Sequence, residues 1–470
     1  DEGTHWDNAT PSPLTAWSKV GMIEASHFDT GTAYAAIDRH RLDDRHPYIY
    51  RTRNGGKDWE LIVAGIRDGD FVNAVREDPK RRGLLYAATE LGVYASFDDG
   101  AHWQPLQMNL PRTSVRDIDV HDDDLVIATH GRGFWVLDDI ASLRQLGPVG
   151  STSVTRLFAP SAAIRVRPAG FTGTPLQRDE PTAQNPPFGA RLDYVLAETP
   201  KQPVQLAIFD ASGQLVRRYS SADAPPKRDV AKIDATLDWF PVPSVLGTTP
   251  GLHRFIWPLR YPSAVPLAHG NAYSNGVWAP PGRYSIELRV DGKTYRQPLV
   301  VEPDPRIRLP DDDYVQQFAF VRTLEAAMVR LAMAQSESDA LQEQLQIRRQ
   351  GADSALLSAI DAFVEKLDAI GGVVETPNHG NAGAFPPKST DTFAFVAEAI
   401  DKLAEAADGA DAAPTPDARS GYARVMPLEE RVLSAWEKFK AEDLAAINTK
   451  LRAAGKDALN VKRADEARTN

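Results

Sequence analysis

The chain has no cysteine, so disulfides, thiolate metal sites and cysteine nucleophiles are excluded together. No window of about 18 apolar residues occurs, which excludes a membrane-spanning helix. Basic residues are outnumbered, with 53 Lys and Arg against 64 Asp and Glu and a net charge of −11, and no element gathers the basic ones into a stripe. A nucleic-acid partner is therefore not expected. Phosphate-binding glycine loops, dinucleotide fingerprints and Ser-His-Asp arrangements are missing, so no cofactor is expected. His40, His46 and His130 do not sit at ligand spacing on one element, and no metal site is expected either. Asp1-Glu2-Gly3 carries neither an initiator methionine nor the apolar core of a signal peptide and reads as a processing, cloning or cleavage point.

What is present is the balance of a folded globular protein, 42% hydrophobic and 25% charged. The 470 residues suffice for two to four domains, each with its own core. The pattern changes character twice, which divides the chain into 1–146, 147–305 and 306–470.

In 1–146 short β-rich runs alternate with Gly and Asp turns at the spacing of a four-stranded unit, and the unit repeats. The first copy has runs at 22–25, 32–36, 48–51 and 59–62, and the second at 74–76, 84–88, 93–96 and 103–106. The third has 117–120, 125–128 and 134–137 and stops short of a fourth. Two copies carry the same octet before the fourth run, Thr52-Arg53-Asn54-Gly55-Gly56-Lys57-Asp58-Trp59 and Ser96-Phe97-Asp98-Asp99-Gly100-Ala101-His102-Trp103. Such an octet makes a hairpin turn. The Asn or Asp side chain bonds nearby N–H groups, Gly supplies positive φ, and Trp packs as a plug. Asn54, Trp59, Asp98, Gly100 and Trp103 are thus read as structural. About two and a half units cannot close a propeller ring, so further blades are expected from an upstream segment of the same gene product or from a second chain. Until they arrive, the sheet face near Trp17, Met22, Ile23, Tyr34 and Tyr48 should be open.

Residues 147–305 are rich in Pro and in short strands. Leu206 to Val216 reads as a hairpin turning at Asp210-Ala211-Ser212-Gly213, with further strands at 253–257, 282–290 and 295–301. The alternation of Tyr284, Ile286, Leu288 and Val290 gives one buried face and suggests an immunoglobulin-like β-sandwich, with loops at 175–187 and 262–281. From 306 onward the period becomes helical. Asp311 is the expected N-cap of a first helix through Tyr314, Phe318, Val321, Leu324, Met328 and Leu331. A second runs from Asp353 to the Gly371-Gly372 stop, a third holds Phe393, Val396, Ile400 and Leu403, and a fourth begins near Pro427. Stretches 373–390 and 408–420 read as flexible connections.

The octets resemble the Asp box, with Asn54 in place of the family's Asp. Gly83 to Tyr94 and Ala128 to Asp139 resemble the final blades of bacterial sortilin-type Asp-box (BNR) repeat β-propeller proteins, often labelled glycosyl hydrolases. The likeness continues through Gly251–Trp257 and Pro281–Tyr284 and covers about the first 300 residues. It implies a large propeller followed by a sandwich and helices, and a secreted or periplasmic location, while the hydrolase label rests on fold analogy.

Strand alternation puts the octet turns on one rim of the repeats. The other rim gathers Asp38, His40, Arg41, Asp70, Glu90, His130 and Arg132, with Asp68 and Arg112 beside them. Such a mixture suits a polypeptide or glycan ligand; the alternative is a solvated rim laced with internal ion pairs. A glycoside hydrolase would need two carboxylates about 5–9.5 Å apart. Asp38 and Glu90 are the local candidates, and the acids could also lie on blades outside this chain. Aligning Ile23, Val75 and Ile118 puts Glu24, Arg76 and Asp119 at one repeat position, so Arg76 is expected within about 4 Å of at least one of those acids.

Overall fold

The computed structural model describes residues 3–147, 153–168, 185–224, 236–240, 242–265, 273–372 and 390–461. It is β-rich, built of several small sheets, with a helical C-terminal region. Three antiparallel meanders come first. β1 (Lys19–Ala25), β2 (Ala33–Asp38), β3 (Ile49–Thr52) and β4 (Glu60–Leu61) lie side by side in chain order, as do β5 (Val72–Glu77), β6 (Leu85–Thr89), β7 (Val93–Ser96) and β8 (Gln104–Pro105). The third meander has only β9 (Val115–His121), β10 (Asp124–Thr129) and β11 (Phe134–Leu137), followed by the short helix α1 (Ala141–Arg144).

The meanders stack face to face. In the middle one, Val75, Leu85 and Ala87 pack on Tyr34, Ala36 and Ile49 of the first, while Ala74, Tyr86 and Ala88 pack on Ile118, Leu125 and Ile127 of the third. A sheet covered on both faces needs an unbroken apolar run rather than alternation, which is why Leu84 to Ala88 are all buried. The repeat register holds: Arg76 lies 2.8 Å from Glu24 and 3.7 Å from Asp119. The outer faces of the stack are covered only in part: on the first meander Leu14, Tyr48 and Trp59 pack over Ala35, Ile37 and Tyr50. On the first meander Ile23 on β1 is 64% exposed and Leu61 on β4, at the opposite edge of the sheet, 46%; on the third Phe134 is 81% exposed beside Val136. Met22 and Tyr34, expected on the open flank, face the middle meander instead. Pairing of Ile23 with Ala35 and of Met22 with Ala36 sends neighbours to opposite faces.

The next region adds β12 (Arg156–Leu157), β13 (Ala163–Arg165), β14 (Ala190–Leu196), β15 (Gln205–Asp210), β16 (Leu215–Ser220), β17 (Gly251–Trp257), β18 (Arg260–Pro262), β19 (Asn275–Trp278), β20 (Gly282–Val290) and β21 (Lys293–Pro303). Sheets β12-β14-β17 and β13-β21-β20-β15-β16 share one core, with Leu192, Tyr194, Phe255 and Trp257 meeting Leu206, Ile208, Ile286 and Leu288. β13 joins β21 in parallel. The stretch 262–281 is not all loop, because β19 lies within it and pairs with β18; residues 175–184 of the other Pro-rich stretch lie outside those described.

Four long helices follow: α2 (Asp311–Arg348), α3 (Ser354–Gly371), α4 (Phe393–Asp408) and α5 (Pro416–Ala453). Leu324, Leu331, Ile360, Phe363, Val396, Ile400, Trp436 and Phe439 form their common core. Asp353 caps α3 through Leu356 N–H, and Gly372 ends it. Two boundaries differ from expectation. Pro310 occupies the N-cap of α2, and Asp311 falls in its first turn with Asp312 and Asp313, where carboxylates complement the exposed N–H groups. α5 starts at Pro416 rather than near Pro427, because Thr415 accepts from Ala418 N–H and Pro416 takes the first helical position; Pro427 lies inside the helix. Residues 373–389 lie outside those described.

Residues 408–415 are not a free connection. Asp411, with a fully buried side chain, accepts from Arg165 and Arg167, and Asp408 accepts from Arg167 at 2.9 Å. Arg165, Arg167 and Arg260 all lie over the Trp278 ring, and burial pushes the Arg260 guanidinium down to about 10. This cluster joins the sheets to the helices. Removing one partner strands a buried charge, so Asp411→Ala should cost about 3–5 kcal/mol in denaturant unfolding. Asp457→Ala, which removes an exposed carboxylate 3.7 Å from Arg348, should leave the midpoint unchanged.

Candidate functional site

Because strands alternate, the loops after β2, β4, β6, β8 and β10 open at one end of the stack. Lys19 pairs with Asp38, Val72 with Thr89 and Val115 with Thr129 at that end. Asp38, buried at the close of β2, accepts the His40 backbone N–H at 2.9 Å and meets His40 Nδ1 at 2.6 Å. This turns the imidazole onto Phe71, with ring centroids 4.8 Å apart. The Phe71 carbonyl accepts from Glu90 N–H. Glu90 Oε2 accepts from Ser114 Oγ at 2.6 Å and lies 3.5 Å from Arg116, and the Ser114 carbonyl accepts from His130 N–H. The loops of all three meanders thus touch in sequence around one rim.

Asp70 belongs to the framework of this rim, buried and accepting from Leu91 N–H at 2.9 Å. Arg41, His130 and Arg132 are exposed on it. His46 bridges Asp44 at 2.8 Å and Asp68 at 3.4 Å, and the Asp44 hydrogen bond raises its imidazole pKa. Phe71, Ser114 and Arg116 were not legible as site residues, since they carry no motif. Their signal is positional: Phe71 and Ser114 each stand one residue before an inner strand. The arrangement leaves the His40 imidazole and the Glu90 carboxylate, each oriented by a neighbour, partly exposed on this rim.

The octet turns open on the opposite rim with matching bonds. Gly56 N–H donates to Thr52 Oγ1 and Asp58 N–H to Asn54 Oδ1; Gly100 N–H donates to Ser96 Oγ and His102 N–H to Asp98 Oδ1. Burial alone would raise the Asp98 pKa, but the bonds from His102 and Ser96 outweigh it and hold the carboxyl below its ordinary value. Gly100 is required twice over, by a φ of +84° and because a Cβ there would lie 2.4 Å from Ile62 Cδ1. A cavity of about 250 Å³ opens at this rim between the first two meanders, lined by Tyr34, Arg53, Glu77, Arg82 and Asp99 among others. Its charged side chains have partners of their own. Asp99 holds Tyr34 Oη at 2.5 Å, Arg51 at 2.8 Å and Arg53, while Glu77 holds Ser26 Oγ and His27 N–H.

Among the described residues no group of three His, Asp or Glu side chains is placed to hold a metal ion, and no helix is long and apolar enough to cross a membrane.

No protein-family description matches the chain, and no curated protein does. Solved structures with partial likeness include the GH74 enzyme of Niastella koreensis, at 13% identity and TM-score 0.22, over 26% of this chain and 21% of that one. YCF48 from Cyanidioschyzon merolae matches at 13% and 0.19 over 25% of this chain and 39% of its own. The GH74 xyloglucanase from Xanthomonas campestris matches at 15% and 0.20 over 60% and 38%. This chain spans well under half the length of each.

The two octet tryptophans are bonded alike and buried unequally. Trp103 Nε1 donates to the Ile62 carbonyl and the ring is 4% exposed, whereas Trp59 Nε1 donates to the Ala9 carbonyl and is half-buried. Trp103→Ala should therefore cost about 3–5 kcal/mol in denaturant unfolding, and Trp59→Ala clearly less.

Proposed function

We propose that the three meanders are blades of an Asp-box β-propeller whose remaining blades lie outside this sequence, and that the rim carrying His40 and Glu90 binds a polypeptide or glycan. The protein acts outside the cytoplasm, secreted or periplasmic, with the sandwich, of immunoglobulin-like kind, and the helical bundle as scaffold. The observation that carries the binding reading is the continuous contact from Asp38 and His40 through Phe71, Glu90 and Ser114 to His130. It makes one surface of loops from three repeats, as a recognition rim needs.

The incomplete ring is supported by an equivalence between repeats. Ala9 stands to Trp59 as Ile62 stands to Trp103, each offering its carbonyl to the indole. Leu14 N–H bonds Pro11 O as Ile66 N–H bonds Val63 O. The segment before β1 therefore takes the place that the link leaving a preceding meander takes before β5. The apolar side chains exposed on the outer faces of the stack, Ile23 and Leu61 at the two edges of the first meander and Phe134 with Val136 on the third, are what neighbouring blades would cover.

Two experiments test this. Residues 1–470 expressed alone should self-associate or bind an apolar-surface dye, and Ile23→Asp with Phe134→Asp should reduce both; a dye-silent monomer would defeat the incomplete-ring reading. The protein with its upstream region, screened on peptide and polysaccharide arrays, should lose its ligand on His40→Ala and keep it on Lys57→Gln at the opposite rim. Turnover of a polysaccharide abolished by Glu90→Gln or Asp38→Asn would replace binding with glycoside hydrolysis.

A further inference from the structure

The two rims differ in which charges are left over. On the octet rim the main arginines are committed, Arg51 and Arg53 to Asp99 and Arg144 to Asp78 and Asp123. On the His40 rim it is the carboxylates that are committed. Asp38 holds His40, Asp70 holds Leu91 N–H, Asp44 holds Arg39 and His46, and Glu90 holds Ser114 with Arg116 nearby. Arg41, Arg45, Arg67, Arg112 and Arg132 stand on the loops of this rim, exposed, and none has an ion-pair or hydrogen-bond partner for its side chain among the described residues. Against them Asp43 is the exposed carboxylate left without a partner, while Asp68 is met by His46. A chain with net charge −11 thus presents unpaired guanidiniums at this rim.

Apolar side chains are held out among those arginines. Trp17 is 89% exposed and Met108 66% exposed, with Leu42 partly so. Trp17 and Met108 stand at φ +70° and +42°, a region that bulky residues avoid. Leu42 lies in the loop between the paired strands β2 and β3 and Met108 in the link from β8 to β9, both away from the outer sheet faces, so additional blades do not account for them. Arginine with Trp and Met is the composition of protein-binding surfaces.

We infer that the rim's ligand is an acidic polypeptide segment, with carboxylates set against the free arginines and apolar side chains against Trp17, Leu42 and Met108. This rests on the rim-binding reading and names its partner class. Guanidinium forks match carboxylates in geometry, and unpaired guanidiniums draw an anionic segment towards them and disfavour a basic one.

The test uses the full chain and four probes: a random Glu/Tyr copolymer, a Lys/Tyr copolymer, oligogalacturonate and a neutral xylo-oligosaccharide. The Glu/Tyr copolymer should bind, weakening about tenfold or more as NaCl rises from about 50 to about 300 mM. The Arg41→Gln, Arg112→Gln, Arg132→Gln triple variant should lose about tenfold in affinity and much of that salt dependence, with an unchanged unfolding midpoint. Lys57→Gln should bind as the parent does. Trp17→Ala with Met108→Ala should weaken the copolymer at every salt concentration. Preference for oligogalacturonate would overturn the polypeptide in favour of an acidic glycan. Equal binding of the Lys/Tyr copolymer, or a triple variant with full affinity, would overturn the anionic assignment. A neutral ligand lost on His40→Ala would leave the rim reading standing, whereas binding that survives every rim substitution would sink that reading as well.

Discussion

Every joint between stacked parts of this molecule is crossed by an arginine that reaches from one part to carboxylates or carbonyls of the next. Arg51 and Arg53 of the first meander hold Asp99 of the second, and Arg76 of the second holds Glu24 of the first and approaches Asp119 of the third. Arg144 ties α1 to Asp78 and Asp123. Arg254 on β17 holds Asp193 and donates to the carbonyls of Asp138 and Asp139, which fixes the two-sheet region to the third meander. Arg165 and Arg167 fix it to the helices through Asp408 and Asp411. Apolar stacking supplies most of the driving force but little preference for one angle over another. A planar fork of donors that must meet a particular pair of oxygens supplies that preference. In a chain without cysteine, these forks do the registering that disulfides do elsewhere.

The elements that were legible from sequence are those whose cause is local. The octet turns announce themselves through Gly100 and Trp103, the hairpin at Asp210 to Gly213 through its turn residues, and α3 through Asp353 and Gly372. The misses have non-local causes. β14 is the middle strand of its sheet, buried on one face by the second sheet and at Val195 by the cluster around Ile140 and Leu143, and nothing within Ala190–Leu196 says so. The start of α5 was hidden by a second proline eleven residues on, which looked like the better boundary. The ionic cluster at Trp278 joins residues about 240 positions apart, and no spacing rule connects them.

The candidate site divides in the same way. Asp38, His40, Glu90 and His130 could be placed on one rim because strand alternation decides which loops share an end. Phe71 and Ser114, which connect those residues, sit in links whose composition carries no message. The sequence also shows charges without showing which are spent. Asp38 and Asp70 look like available acids when read in a row, but in the fold they are spent on a neighbouring imidazole and a backbone N–H. Which charges are left free could be read only once the partners were known.

The way each octet tryptophan leans on the segment that precedes its own meander gives the stack a direction. Trp103 is seated on the carbonyl that follows β4, and Trp59 on one that precedes β1. Each of these two tryptophans is therefore seated on chain already laid down before its own meander. A chain emerging N-terminus first can close its units in order without waiting for residues still to be made. The same asymmetry makes the front of the stack its vulnerable end, since a loss there removes a seat on which the next unit depends, whereas a loss at the back leaves the earlier units seated.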